Sequence, residues 1–269
     1  MNPAEHTTFA WEPFTPRGVA AFARAPFGRL LLVQFVVALL VAASVAWFLH
    51  DSVFPVLRTA IASLPATGEI RGAKLEWRGE PSELLAEGRF LALDVDVDHI
   101  AKINTTADLQ IEFGRETVRT FALPGYMEFS YPDGFVIAFN RTELEPLWGA
   151  WRAEILFIAA AATVLGLLAG WWLLATVYFL PVWLAGYFVN RDLDFRRSWK
   201  LSGAALLPGA LLLAAGILFY DFGALDLVQL GFIFGAHLVL AWIYLLLSLL
   251  FVPGIPDGSP RGNPFAGKK

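Results

Sequence analysis

Cysteine is absent from the sequence, which excludes disulfides, a thiolate nucleophile, Cys-ligated metals and iron–sulfur clusters throughout the 269-residue chain. Charge is scarce. Charged residues make up 16% of the chain, and 20 Lys and Arg against 24 Asp and Glu leave a net charge of −4. That lacks the basic excess that a nucleic-acid phosphate backbone demands, so no nucleic-acid partner is expected. What fills the space is apolar: 57% of residues are hydrophobic, with 23 Phe and 10 Trp, and the mean hydropathy is +0.58. A soluble domain is about half apolar or less, and a disordered chain carries far fewer aromatics. The composition is that of an integral membrane protein.

Four apolar runs account for it. Leu30 to Leu49 reads LLLVQFVVALLVAASVAWFL, with Gln34 and Ser44 as its only clearly polar side chains, long enough to cross roughly 30 Å of hydrocarbon as a helix. The Ser44-Val45-Ala46 triplet at its end also fits a signal-peptidase site, but the run is longer than the h-region of a signal peptide, so an uncleaved anchor is preferred. The second run, Ile155 to Val189, is too long for one upright crossing and too short for two. Pro181 places the end of the span proper near Leu180, with Val182 to Val189 as an interfacial or kinked extension. A third span covers about Gly203 to Tyr220 and carries Pro208-Gly209; a fourth covers about Leu227 to Phe251 and stops at Pro253-Gly254.

Lysines and arginines near the spans set direction, because they stay on the cytoplasmic side. Arg17, Arg24 and Arg29 precede the first span, and Arg191, Arg196, Arg197 and Lys200 separate the second from the third. Residues 51–150, by contrast, balance to −7. The expected layout is a membrane α-helical fold, four transmembrane helices with an inserted extracytoplasmic α+β domain between the first and second spans. Its parts are a cytoplasmic segment 1–29, span 30–49, outer domain 50–152, span 153–189, cytoplasmic loop 190–202, span 203–220, outer loop 221–226, span 227–251 and a cytoplasmic tail 252–269. Both termini then lie inside, in a bacterial inner (plasma) membrane.

Within the outer domain, VFPVLRTAIASLP spaces Val53, Val56, Leu57, Ile61 and Leu64 for one helical face. Strands are expected at Glu69–Trp77, Arg89–Val97, Ala107–Phe113, Thr117–Ala122, Tyr126–Tyr131 and Phe135–Phe139, separated by Pro-Gly and Asp-Gly turn signals. Thr142-Glu-Leu-Glu145 matches a capping box, so a helix is expected to begin there and run into the second span.

Few residues suggest chemistry. In the alternating strand from Leu91 to Val97, Asp94, Asp96 and the following Asp98 share one side about 6.6 Å apart. Three carboxylates in a row can recruit Ca²⁺, yet an antiparallel strand with one solvated face has the same pattern, and the spacing is too wide for one ion without other ligands. A solvated face is therefore expected and the cation site is the lesser reading. His99 beside them reads as a surface histidine. Inside the spans the polar inventory is Gln34, Gln229, His237 and Tyr244; Gln34, Gln229 and His237 form a candidate polar site in the bundle, with an interhelical hydrogen bond from His237 preferred to a transport role. Gly166 and Gly170, and Gly231 and Gly235, form two GxxxG patterns, read as helix-packing faces with a homo-oligomer contact as the weaker use. The stretch from Thr15 to Arg29 mixes arginines with Phe22 and Phe27, which suits a positive-inside anchor or contact with anionic lipid heads.

Several segments together resemble a known family. These are Pro16-Arg-Gly-Val-Ala-Ala-Phe before the first span, Leu64-Pro65 followed by Gly68-Glu-Ile-Arg-Gly72-Ala-Lys-Leu-Glu-Trp77, the strand Leu93-Asp94-Val-Asp96, the run FGRETVRTF, and Thr142-Glu-Leu-Glu145. With the whole-chain layout they resemble a bacterial family of uncharacterised four-span membrane proteins often encoded near maltodextrin-utilisation genes. The stretch from Ser198-Trp199-Lys200-Leu201 to Pro208 resembles the Yip-type membrane proteins. The first resemblance implies a non-enzymatic membrane protein with an outer domain; neither implies catalytic residues. No spacing organises an acid–base pair. The expectation is a non-enzymatic interaction or accessory subunit with no cofactor, in contact with membrane lipids and with a protein partner or a second copy of itself. The alternative is a ligand-sensing or transport component coupling the outer domain to the bundle.

Overall fold

The computed structural model describes residues 11–98 and 105–255. Four of its helices are long and apolar enough to cross a membrane, and the eight strands lie between the first and second of them. The chain divides into two compact units. A helical unit comprises Met1–Ala42, Ala162–Gly216 and Val228–Lys269, and a sheet unit comprises Ala43–Ala161 and Ile217–Leu227.

In the helical unit, α1 (Pro16–Phe22) starts where Thr15 Oγ1 accepts the Gly18 N–H at 3.0 Å and Pro16 takes the first helical position, where no donor is needed. Helix α2 (Phe27–Phe48) is 22 residues, about 33 Å. Its buried residues, Leu30, Val33, Gln34, Val37, Ala38 and Val41, recur at steps of three and four, while Leu32, Phe35, Val36, Leu39 and Leu40 are exposed. A helix apolar on its packed face and its open face alike is at home against lipid.

Helix α4 (Arg141–Phe188) continues through Pro181, so the extension expected there is ordinary helix. Proline costs one backbone bond, which a long apolar helix tolerates. The helix stops at Asn190, which takes a left-handed φ of 55°, while Arg191 N–H closes on the Gly186 carbonyl at 2.8 Å. The third span starts earlier than Gly203. Asp194 Oδ1 accepts the Arg197 N–H at 2.7 Å and opens α5 (Phe195–Ala205), which passes through Leu206 to α6 (Leu207–Asp221). Most of the loop expected at 190–202 is therefore helical. The last span, α7 (Leu227–Leu249), falls where expected. The stretch Phe195–Asp221 is 67% buried along its most apolar window, whereas α4 is 6% and α7 11% buried. The least apolar of the four stretches is thus the best covered, and α4 and α7 keep wide apolar faces.

The sheet unit begins where the π-turn Leu49–Val53 leads into α3 (Phe54–Ser63). A five-stranded sheet has the order β3-β4-β5-β6-β7, from β3 (Ser82–Glu87), β4 (Leu91–Asp96), β5 (Leu109–Phe113), β6 (Thr117–Ala122) and β7 (Gly125–Ser130). A smaller sheet has the order β2-β1-β8, from β1 (Glu69–Arg71), β2 (Lys74–Glu76) and β8 (Val136–Ala138). Leu91, Leu93, Val95 and Val97 pack with Val56, Ala60 and Leu64 of α3 and with Ile70, Leu75, Tyr131 and Phe139. The helical face read from the α3 sequence is the one that packs.

One expected strand is divided and one strand was not expected, both for local reasons. Glu69–Trp77 is a hairpin, turned at Gly72 and Ala73, both at positive φ. A type I′ turn needs two such residues and is usually marked by Asn-Gly, so Gly-Ala gave no signal. Strand β3, SELLAE, is made of residues that favour helices, and pairing with β4 overrides them. The helix α4 begins at Arg141, with Asn140 Oδ1 accepting the Glu143 N–H at 3.0 Å. Thr142, expected to cap, instead donates to the Ala66 carbonyl at 2.8 Å.

Candidate functional site

The polar residues of the spans do not gather. Gln34 is wholly buried; its Nε2 donates to the Gly203 carbonyl and its Oε1 accepts from Trp172 Nε1, each at 3.4 Å. That knot joins α2, α4 and α5. His237 does not make the expected interhelical bond: its Nδ1 meets the Phe234 carbonyl of its own helix, and its ring lies 5.0 Å from that of Phe234. Gln229 sits eight residues before His237 on α7, about 12 Å along the axis.

The GxxxG glycines also stand elsewhere than expected. A Cβ added to Gly166, Gly170, Gly231 or Gly235 would meet nothing within 4 Å, so within this chain they form no packing face. Close packing is carried by Gly209, where a Cβ would lie 2.3 Å from the His237 carbonyl oxygen, and by Gly216, where it would lie 2.8 Å from Ile233. Pro208-Gly209 drew attention as a kink; its glycine is the place where α6 and α7 touch backbone to backbone.

Strand β4 overturns the solvated-face reading. Ala92, Asp94 and Asp96 are as buried as Leu91, Leu93 and Val95. The cause is topology: β4 is antiparallel to β3 but parallel to β5, and neighbouring parallel strands need a connection that crosses a face of the sheet. Thr105 Oγ1, at the described end of that connection, donates to Gln110 Oε1 at 3.3 Å, and Gln110 Nε2 donates to Asp94 Oδ1 at 2.9 Å. Thr106 donates through N–H and hydroxyl to Glu87 Oε1 at 2.7 and 2.9 Å, and these bonds hold the Glu87 carboxyl below its usual range. Thr105 and Thr106, at the described end of the connection, are thereby bound to side chains of the carboxylate side.

Asp94 and Glu112 are cross-strand neighbours, and Arg119 Nη1 stands 3.9 Å from Glu112 Oε1. Burial pushes the Asp94 carboxyl up from 3.8 to about 6, against the Gln110 bond and with the charges of Glu112 and Asp96 adding to it. Asp94 Oδ2 has no hydrogen-bond partner among the described residues. Asp98 leaves the group, pairing with Arg115 at 3.0 Å. Among the described residues no three acidic or histidine side chains gather as metal ligands, so the arrangement expected for a cation is not assembled. His99 lies outside the described residues.

Three features of the sheet unit were not legible in the sequence. Arg89 donates to the carbonyls of Tyr220, at 2.9 Å, and Leu225, and its guanidinium lies 5.3 Å from the Tyr220 ring centre. The Tyr220 hydroxyl bonds to Asp108, and Ser52 Oγ to Asp221 Oδ1 at 2.6 Å. The connection between α6 and α7 is thus bound to the sheet. Second, β7 ends its sheet with all six residues exposed, among them Tyr126, Met127 and Phe129.

Third, a groove of about 520 Å³ runs between α3 and the start of α4, lined by His50, Phe54, Arg58, Thr59, Trp148 and Arg152. Phe54, Arg58 and Ala62 repeat every four residues, as do Trp148 and Arg152, so each helix turns one row inward. Trp148 meets Phe54 edge to face at 4.9 Å. A basic, aromatic groove of about 600 Å³ also exists in the helical unit, lined by Phe27, Phe179, Phe195, Arg196, Trp199 and Lys200; there Lys200 Nζ is already bound to the Ala25 carbonyl at 2.7 Å. No protein-family model, curated protein or solved structure matches the chain.

Proposed function

We propose that this protein is a non-enzymatic, multi-pass protein of a bacterial inner membrane, with both termini in the cytoplasm and its sheet unit outside. In this reading it acts as an interaction or accessory subunit that docks a partner on the sheet. One observation carries it: β7 is an end strand, exposed along its length, with Tyr126, Met127 and Phe129 uncovered. An end strand offers a row of unpaired backbone groups that sheets otherwise guard with charge, proline or cover. An extended segment of a partner protein completes such a sheet by strand addition. The sidedness rests on charge, −7 over residues 51–150 against the arginine clusters before the first span and after the second.

The lack of cysteine makes the test clean. A single Leu123→Cys in intact cells is expected to react with a membrane-impermeant maleimide, and Arg196→Cys is expected to react only after permeabilisation; the reverse pattern would refute the orientation. Crosslinking and affinity purification from native membranes is expected to recover a stoichiometric protein partner, lost on Tyr126→Lys with Phe129→Lys. A partner retained by that variant overturns the role of β7.

A further inference from the structure

The groove between α3 and α4 holds an electrostatic arrangement that the interaction role leaves unexplained. The sheet unit has an excess of acid, and its arginines and lysines mostly find carboxylates: Arg71 with Glu69, Lys74 with Glu116, Arg115 with Asp98, Arg119 with Glu128 and Arg141 with Glu145. Among the described residues Arg78, Arg58 and Arg152 do not, and Arg89 binds only backbone carbonyls; Arg58 and Arg152 differ from the others in position. They line one groove together with His50, and none of the three side chains has a hydrogen-bond or ion-pair partner among the described residues. All three side chains are exposed, so water screens them in the empty groove; an anion seated there would meet both guanidinium groups at once.

Position says which anion. His50 follows directly on the apolar run that ends at Leu49, and Arg152 stands three residues before the apolar run that begins at Ile155. His50 and Arg152 therefore mark the ends of the two apolar stretches, the depth of lipid headgroups, and Arg58 follows His50 by about two helical turns. Trp148, a residue suited to that depth, lines the basic groove and also a second, apolar groove of about 320 Å³ with Ile61, Leu147, Trp151 and Ile155. A basic groove and an apolar groove that share Trp148, the second reaching Ile155 at the start of the apolar run, match a molecule with an anionic head and a hydrocarbon tail.

We infer that Arg58 and Arg152, with His50, bind the phosphate of an anionic phospholipid, whose acyl chain lies along Trp148, Trp151 and Ile155. The inference rests on the reading that the chain spans a membrane. It is independent of the β7 docking strand and of which side the sheet unit occupies.

The test uses the full chain in neutral maltoside detergent, titrated by native mass spectrometry with short-chain phosphatidylglycerol, phosphatidylcholine of the same chain length, and inorganic phosphate. Phosphatidylglycerol is expected to bind in preference to phosphatidylcholine, and Arg58→Gln with Arg152→Gln to weaken it about thirtyfold, the loss expected of two arginines at a lipid surface. Arg58→Lys with Arg152→Lys keeps both charges and is expected to stay within about threefold of the parent. Each variant is checked for unchanged helical circular dichroism and elution volume, and the lysine pair serves as the folded control. Equal binding of the two lipids, or full binding by the glutamine pair, overturns the inference. So does displacement of phosphatidylglycerol by an equal concentration of inorganic phosphate, which assigns the groove to a soluble anion. Alkaline carbonate extraction tests the membrane reading separately: protein that stays with the membrane yet shows no lipid preference refutes the groove alone.

Discussion

In the helical unit the polar side chains withdrawn from solvent are neutral, Gln34, Ser198, Ser202 and Ser248, whereas the sheet unit buries the carboxylates Asp94, Asp96 and Glu112. The difference follows from the surroundings. A charge inside a membrane span has no water within reach and few partners, so spans keep to small dipoles. A sheet can hold a buried acid, because the acid can take a proton or a nearby donor. The three buried serine hydroxyls and Asp94 Oδ2 all lack partners among the described residues, but only the carboxyl answers to pH. The two units are therefore expected to respond to different perturbations, the helical one to steric change and the sheet one to acidity.

The largest effect is expected at Gly209. A side chain there would meet the His237 backbone oxygen at 2.3 Å, and backbone cannot move aside, so Gly209→Leu is expected to cost more than about 4 kcal/mol and to prevent recovery of monodisperse protein in detergent. Gly235→Leu, in open space, is expected to change the melting midpoint of the monomeric chain by less than about 0.5 kcal/mol equivalent. Similar behaviour of the two variants would break the distinction between the glycines that pack and those that only match a motif.

Next comes Asp94. Its folded-state carboxyl titrates near 6 against an ordinary 3.8, so the native state holds that proton more tightly than the unfolded chain. Its contribution to stability is then complete below about pH 4, falls as pH rises toward 6, and stays lost above, a change of about 3 kcal/mol. Chemical denaturation of the sheet unit in the full chain, followed at pH 4.5 and 7.5, is expected to show that fall, and Asp94→Asn to flatten it while keeping an oxygen for Gln110. A slope unaltered by the substitution would refute the buried carboxyl as its source.

A loss smaller than that at Gly209 is expected from Arg89→Ala, which strips donors from the carbonyls of Tyr220 and Leu225 and is expected to cost about 1–3 kcal/mol. Hydrogen exchange should quicken in residues 217–227 with little change in α7. Uniform quickening would mean that the connection is not held locally by the sheet.

How much was legible can be traced residue by residue. The apolar runs at Leu30–Leu49 and Leu227–Phe251 correspond to α2 and α7 with ends displaced by a few residues, because apolar length alone decides whether a helix can cross hydrocarbon. Alternation located β4 and β6, and the spacing of Val56 with Leu64 located the packed face of α3. Alternation could not say that β4 and β5 are parallel, so the acidic side was expected in water, whereas Asp94 and Asp96 are buried. The three-residue spacing of Gly231 and Gly235 is a local pattern, and whether a neighbour lies against it is not.

Composition and periodicity by themselves determined that this chain has four membrane-length helices and an inserted α+β region, because burial in lipid and pleating in a sheet each act on a few adjacent residues. Tertiary structure alone decided which glycines touch backbone, which carboxylate loses water, and that Arg58 and Arg152 face one groove without a counter-charge. Those outcomes depend on what stands opposite a residue, and the opposing groups come from segments distant along the chain.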